Sequence, residues 1–279
     1  MDSLAAQIGL ATTGAGSHVA MSLALITGAS SGIGFELAKQ FARHGYDLVI
    51  AAEDEGIEKA ANALSKTGVT VRTVQADLRT AKGVEKLYRQ ATEGGQQLDA
   101  VALNAGVGTG GSFVDSDLDA DLSIVDLNVR STVHLAKLVL PDMVRRNSGK
   151  VLFTSSIASQ MPGSHQSVYA ASKSFVQSLA QALHDEMRHT GVTVTALMPG
   201  PTETNFFRRA GMANSRMGRM KHKDDAAEVA KQGFEALMNG DRKVVAESVM
   251  TKVMGISNRF LPDSVKAAAN RVISVPAGN

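Results

Sequence analysis

The run Thr27-Gly28-Ala29-Ser30-Ser31-Gly32-Ile33-Gly34 constrains this chain more than any other stretch, because of what flanks it. Before it, Leu23-Ala24-Leu25-Ile26 reads as a short buried strand. After it, Phe35-Glu36-Leu37-Ala38-Lys39-Gln40-Phe41-Ala42 repeats apolar residues at helical spacing. A glycine-rich turn between a first strand and a helix is a phosphate cradle. Glycine permits the tight turn and close backbone approach, and the helix N-terminus offers free N–H groups and a positive dipole end to a pyrophosphate. The spacing is G-x-x-x-G-x-G, which is neither the G-x-G-x-x-G dinucleotide fingerprint nor a P-loop, since no Gly-Lys-Ser/Thr follows.

The rest of the chain alternates. Short apolar runs at 46–52, 69–75, 98–103, 150–154, 192–197 and 243–246 read as strands. Between them lie helical patterns at 57–64, 82–91, 118–144, 168–189 and 226–237. Strands alternating with helices imply parallel crossovers and a sheet covered on both faces, so the expected fold is α/β, a Rossmann-like doubly wound parallel sheet. A single domain is expected over 21–279, with a substrate lid at about 200–225. Residues 1–20 are almost uncharged and lack the basic segment of a signal peptide. They read as a leader or an expression scar outside the fold.

Composition excludes several classes. A formal charge of +2 is too small for a nucleic-acid binder, and the basic residues Arg208-Arg209 and Arg216 to Lys223 are local clusters. No apolar run reaches membrane-spanning length. The absence of cysteine excludes disulfides, thiol catalysis and cysteine-based zinc sites, and fits a cytoplasmic location; no metal is expected.

Ligands of such sheets bind outside the carboxyl ends of the strands. Those ends carry Asp77-Leu78 after the third strand and Asn104-Ala105-Gly106 after the fourth. Ser155-Ser156 follows the fifth and Pro199-Gly200-Pro201-Thr202-Glu203-Thr204 the sixth. The helix after the fifth strand places Tyr169 and Lys173 four residues apart on one face. A Tyr-x-x-x-Lys pair alone is common; here it stands behind Ser156 and a glycine-rich loop.

On Thr27 to Gly34, Asp77, Asn104-Ala105-Gly106, Asn128, Ser156, Tyr169, Lys173 and Pro199-Gly200, the chain resembles the short-chain dehydrogenase/reductase family over 22–247. Tyr169 follows Ser156 by 13 residues and Asn128 by 41, as in that family. The segment from Glu228 through Leu261-Pro262 is similar to its compact, general reductase branch. The resemblance implies that Tyr169 is the general acid/base, that Lys173 favours its phenolate and holds the nicotinamide ribose, and that Ser156 stabilises charge on the substrate oxygen. Asn128 would orient a water linking Lys173 to solvent. Alternation along the strand end points Ser155 away from the site. For the cofactor it implies a cradle of Gly28, Ser30, Ser31, Gly32, Ile33 and Gly34, and contacts from Asp77 and Leu78 to adenine. Asn104, Ala105 and Gly106 would line the adenosine ribose, with Tyr169, Lys173, Pro199, Gly200, Thr202 and Thr204 at the nicotinamide.

The cofactor is NAD(H) or NADP(H). After the second strand stands Ala52-Glu53-Asp54-Glu55, so a 2′-phosphate would face three acidic residues with no basic partner, whereas Glu53 can accept from ribose hydroxyls. This favours NAD(H). The expected reaction interconverts a small-molecule secondary alcohol and ketone, and Phe206, Phe207, Met212, Met217 and Met220 in the lid point to a bulky apolar substrate. The alternative is a regulatory or scaffolding nucleotide binder without turnover, against which the full Asn-Ser-Tyr-Lys set argues. Surplus apolar residues on 118–144 (Leu127, Val129, Val133, Leu135, Ala136, Val139, Leu140) and 168–189 predict a homodimer or homotetramer. Alternatively, the tail with Val253, Met254, Ile256, Phe260 and Leu261 covers that face.

Overall fold

Strands β1 (Leu23–Thr27) and β2 (Asp47–Ala52) are almost wholly apolar, as strands covered on both faces must be. They pair in parallel with β3 (Val71–Gln75), β4 (Ala100–Leu103), β5 (Gly149–Thr154), β6 (Val192–Pro199) and β7 (Lys243–Ala246). The resulting sheet has the order β3-β2-β1-β4-β5-β6-β7, with every pairing parallel. This computed structural model describes residues 22–221, 223–246 and 265. The expectations about residues 1–20 and the tail at Val253, Met254, Ile256, Phe260 and Leu261 lie outside the described residues.

Helices cover both faces. Helices α1 (Gly32–Arg43), α2 (Gly56–Leu64) and α8 (Ala226–Asn239) pack over one core with Leu37, Phe41, Ile57 and Phe234 at its centre. On the other face α3 (Ala81–Ala91), α5 (Ser131–Arg145) and α6 (Ser167–Glu186) enclose Leu87, Leu135, Phe153 and Val176. The strand order reverses between β1 and β4, and this switch point opens the crevice in which ligands of such sheets bind. Among the described residues no helix is long and apolar enough to cross a membrane.

One expected element is divided. The long helix read over 118–144 is an α-helix, α4 (Leu118–Ile124), then a π-helical segment (Val125–Arg130), then α5. The wider turn falls at Asn128, whose side chain bonds the loop after β4, and such bulges recur at functional sites.

The excursion between β6 and α8 begins and ends at neighbouring points, because Thr202 and Asp224 form an isolated parallel bridge. Within it the short helix α7 (Phe206–Arg209) and the following turns bury Phe207, Ala210 and Met212 against Phe206 and Met217 as a separate small core. Arg208, Arg209, Arg216 and Arg219 are exposed.

Candidate active site

The glycine loop owes its shape to steric necessity. Gly28 and Gly32 adopt φ of 68° and 60°, in the left-handed region that side chains rarely enter. A Cβ on Gly34 would stand 2.2 Å from Gly28 O, so helix α1 can start this close to β1 only with glycine there. Ser31 caps α1 in extended conformation without a side-chain bond to the helix, and the first turn contains no acid. The orphan N–H groups of that turn therefore face the cleft uncompensated, the donor set a pyrophosphate needs. The glycine cradle and these donors fit a dinucleotide.

Around them lies a cleft of about 740 Å³, lined by residues from every loop at the carboxyl edge from β1 to β6. That volume is within the roughly 300–1,000 Å³ of small-molecule sites. The expected residues Gly28, Ser30, Ser31, Gly32, Ile33, Gly34, Glu53, Asp77, Leu78, Asn104, Ala105, Gly106, Ser156, Tyr169, Lys173, Pro199, Gly200, Thr202 and Thr204 all line it.

Several have tasks within the chain. Asn104 Nδ2 donates to Thr27 O at 3.0 Å, and its Oδ1 accepts from Thr154 Oγ1 at 3.2 Å, so its side chain ties the ends of β1, β4 and β5 together. Thr27, which sequence reasoning passed over, accepts from the amides of Asn104 and Ala105 through one hydroxyl. Thr202 turns its hydroxyl back to Gly200 O at 2.9 Å, while the Thr204 methyl lies over Gly32.

Asn128 is buried away from the cleft lining. Its Oδ1 accepts from Val107 N, and its Nδ2 donates to Val107 O and to Ser172 Oγ, each at 2.9 Å. Ser172 in turn donates to Tyr169 O at 2.7 Å. The π-helical segment thereby fixes the turn of α6 that presents Tyr169 and Lys173. Gly106 runs between them: a Cβ there would lie 3.1 Å from both Asn128 Oδ1 and Lys173 Nζ.

Tyr169 and Ser156 share a side-chain hydrogen bond, and Ser156 Oγ also accepts from Ala158 N at 3.1 Å. Ser155 donates to Lys173 O at 2.9 Å, so its hydroxyl is spent on α6. Burial pushes the Tyr169 phenol up to about 12, against the opposing pull of the Ser156 hydrogen bond. Burial lowers the Lys173 ammonium to about 8. Its Nζ donates to Thr154 O at 2.8 Å. Phe206 of α7 packs on the Tyr169 ring at 5.2 Å between centroids. Gly108 makes room for this, since a Cβ there would meet Phe206 Cζ at 2.8 Å and Tyr169 Cδ2 at 3.1 Å.

The acidic run after β2 requires a correction. The sequence offers a 2′-phosphate no basic partner beside these acids, and the structure brings two arginines to them. Arg79 pairs with both Glu53 and Asp77, and Arg209 approaches Asp54 at 3.9 Å. Asp54 also accepts from Ser30 Oγ at 2.9 Å, which joins the glycine loop to the start of α2. Burial would raise the Asp77 carboxyl, but the hydrogen bonds and charge of Arg79 outweigh it and hold Asp77 below its usual range. Arg79 escaped the sequence reading because its partnership with Glu53 depends on the pairing of Ala52 with Gln75, which no local pattern announces.

A cradle for phosphates at one end and a tyrosine, serine and lysine converging at the other are features that known proteins share with this chain. A family profile described as short chain dehydrogenase matches residues 22–214. The oxidoreductase UcpA of Salmonella typhimurium is 35% identical over 218 residues, covering 77% of this chain and 79% of its own. Among solved structures, a short-chain dehydrogenase from Sphingobium yanoikuyae in complex with NADPH superposes with a TM-score of 0.76 at 27% identity, over 92% of this chain and 97% of that one. A bulky-bulky ketone specific alcohol dehydrogenase from Comamonas testosteroni gives 0.73 at 26% identity, over 86% and 91%. With the profile spanning the glycine loop, helix α6 and the Pro-Gly turn alike, the chain belongs to the short-chain dehydrogenase/reductase family of oxidoreductases.

Proposed function

We propose that the protein is an NAD(P)-dependent oxidoreductase that interconverts a secondary alcohol and a ketone, with Tyr169 as general acid/base. The observation that carries this reading is the hydrogen-bonded pair Ser156–Tyr169 in the cleft with Lys173 one helical turn further on. A bound nicotinamide supplies the hydride donor or acceptor and, when oxidised, a positive charge. Tyr169 Oη gives a proton to the carbonyl oxygen in reduction and takes one from the hydroxyl in oxidation. Ser156 Oγ donates a hydrogen bond to the same oxygen and stabilises the charge developing there. Lys173 Nζ, anchored by one bond to Thr154 O, keeps its other donors for ribose hydroxyls and for proton exchange. Asn128 Oδ1 and Lys173 Nζ flank Gly106, and the second lone pair of Oδ1 could accept from a water on that route.

The phenol in isolation is held too high to ionise near neutrality, and adjacent positive charge is what brings it into range. Phe206 and the residues around it exclude water from Tyr169, which strengthens every charge interaction inside. The lining of Met161, Phe206, Phe207, Met217 and Met220 supports a bulky apolar ketone or alcohol, the substrate class named for the Comamonas relative. Glu53 in the cleft supports NAD(H) over NADP(H).

Thermal-shift titration with NAD(H) and NADP(H), followed by a panel of bulky ketones and alcohols, tests the reading. In Tyr169→Phe turnover should fall by about 10²–10⁴-fold, the span of general acid/base catalysis, while dinucleotide affinity changes less than about twofold. Wild-type rates in that variant reject the role of Tyr169.

A homodimer or homotetramer is proposed as well, on residues that differ from most of those expected. Leu127, Leu135, Ala136, Val139 and Leu140 are buried within the protomer, and the exposed large apolar residues on α4, the π-helical segment, α5 and α6 are Leu118, Leu122, Val125, Val144 and Phe175. Light scattering at micromolar concentration should return a dimer or tetramer mass; a monomer mass rejects it.

A further inference from the structure

Arg79 stands on the loop after β3 and spends its guanidinium on three side chains. Its Nε donates to Asp77 Oδ1 at 2.8 Å, Nη2 pairs with Glu53 Oε2, and Nη1 reaches Ser123 Oγ at 3.4 Å. Glu53 and Asp77 both line the cleft and arrive from adjacent strands, each just beyond the last rung, Ala52 with Gln75. Glu53 follows the glycine loop by the roughly 20 residues at which an acid meets the ribose 2′-hydroxyl in dinucleotide sites. A carboxylate there accepts from that hydroxyl and repels a 2′-phosphate. The strength of the repulsion depends on how much of the Glu53 charge is left uncompensated.

Resting on the dinucleotide reading above, we propose that Arg79 is a specificity-determining residue: by neutralising Glu53 it limits how strongly the cleft prefers NAD(H) over NADP(H). The ion pair is partly open to solvent, so it is worth little to stability. Its consequence for a ligand is larger, because the 2′-phosphate carries nearly two charges and meets either a bare carboxylate or a paired one. Asp77 provides an internal contrast. It also leans on Arg79, but a contact of Asp77 to the adenine is common to both dinucleotides, so losing its support weakens both alike.

Calorimetric titration of the full chain with NAD+ and NADP+ separates these effects. In Arg79→Ala the ratio of the NADP+ to the NAD+ dissociation constant should rise about tenfold at low ionic strength, and by less than about threefold at 0.5 M salt, where exposed charges are screened. Arg79→Lys should keep the ratio within about twofold of wild type, because the cation remains. In a Glu53→Gln background Arg79→Ala should change the ratio less than about twofold, the signature of an effect that acts through Glu53. Equal weakening of both dinucleotides by Arg79→Ala would overturn the proposal and leave Arg79 as a prop for Asp77. A ratio shift that persists in Glu53→Gln would also overturn it, by showing that Arg79 meets the phosphate itself. Both of those results leave the oxidoreductase reading intact; an unmodified protein that binds neither dinucleotide overturns the two together.

Discussion

The two ends of the cleft are built from opposite materials. At the β2–β3 end, Glu53, Asp77 and Arg79 are partly exposed and held by ion pairs, and Asp54 is tethered to Ser30. At the β5–α6 end, Asn128, Tyr169 and Lys173 are buried, with Asn128 and Lys173 bonded to backbone carbonyls and Tyr169 to Ser156. Charges near water can be exchanged at small cost to stability, since an exposed pair is worth about 0–1 kcal/mol. Groups at the buried end cannot, because each lost partner leaves a desolvated polar atom. On the proposed roles, recognition would fall where substitution is cheap, and proton chemistry where the surroundings fix protonation.

Three measurements can break this contrast. The largest effect belongs to Lys173. Its folded-state value of about 8 lies below the ordinary lysine range, so the unfolded chain binds the extra proton between those values and stability must rise with pH there. Denaturant titrations from pH 7.5 to 10.5 should show wild type gaining on the order of 3 kcal/mol relative to Lys173→Met. Tyr169 is common to both proteins, so its opposite trend above pH 10, as the unfolded phenol ionises first, cancels in the difference. A flat difference would place Lys173 in contact with water and erase the contrast.

Gly34→Ala comes next. The new methyl would meet Gly28 O at 2.2 Å and Asn104 Nδ2 at 2.5 Å, and both belong to the tie between β1 and β4. Stability should fall by about 1–3 kcal/mol, the usual cost of overpacking, and dinucleotide affinity should fall with it. Unchanged denaturation and binding would show a yielding loop. Glu53→Arg should give the smallest effect, a shift of about tenfold (about 1.4 kcal/mol) toward NADP(H) with stability nearly constant. Tighter binding of NADPH than NADH by the unmodified protein would reject the preference for NAD(H).

The same division governs what could be read from residue order. The glycine loop, the strands and the spacing of Tyr169 and Lys173 are written within single elements, where period and composition carry the signal. Arg79 opposite Glu53 and Asn104 between Thr27 and Thr154 depend on which strands lie side by side and in what register. The π-helical turn escaped because nothing in the composition of 118–144 marks one added residue per turn; its cause is the bond of Asn128 to a loop about twenty residues earlier. The surplus apolar face was assigned to residues that α3 and the sheet cover, since helical periodicity does not reveal how wide a stripe the neighbours bury.

The bridge between Thr202 and Asp224 makes the intervening segment a cassette. Its two ends are held together by that bridge, and its interior carries its own small core of Phe207, Ala210 and Met212. The entropy of closing such a loop grows only logarithmically with length, so each doubling costs about 0.6 kcal/mol. Insertions or wholesale replacement between the bridged ends would therefore reshape one wall of the cleft while α6 keeps its register.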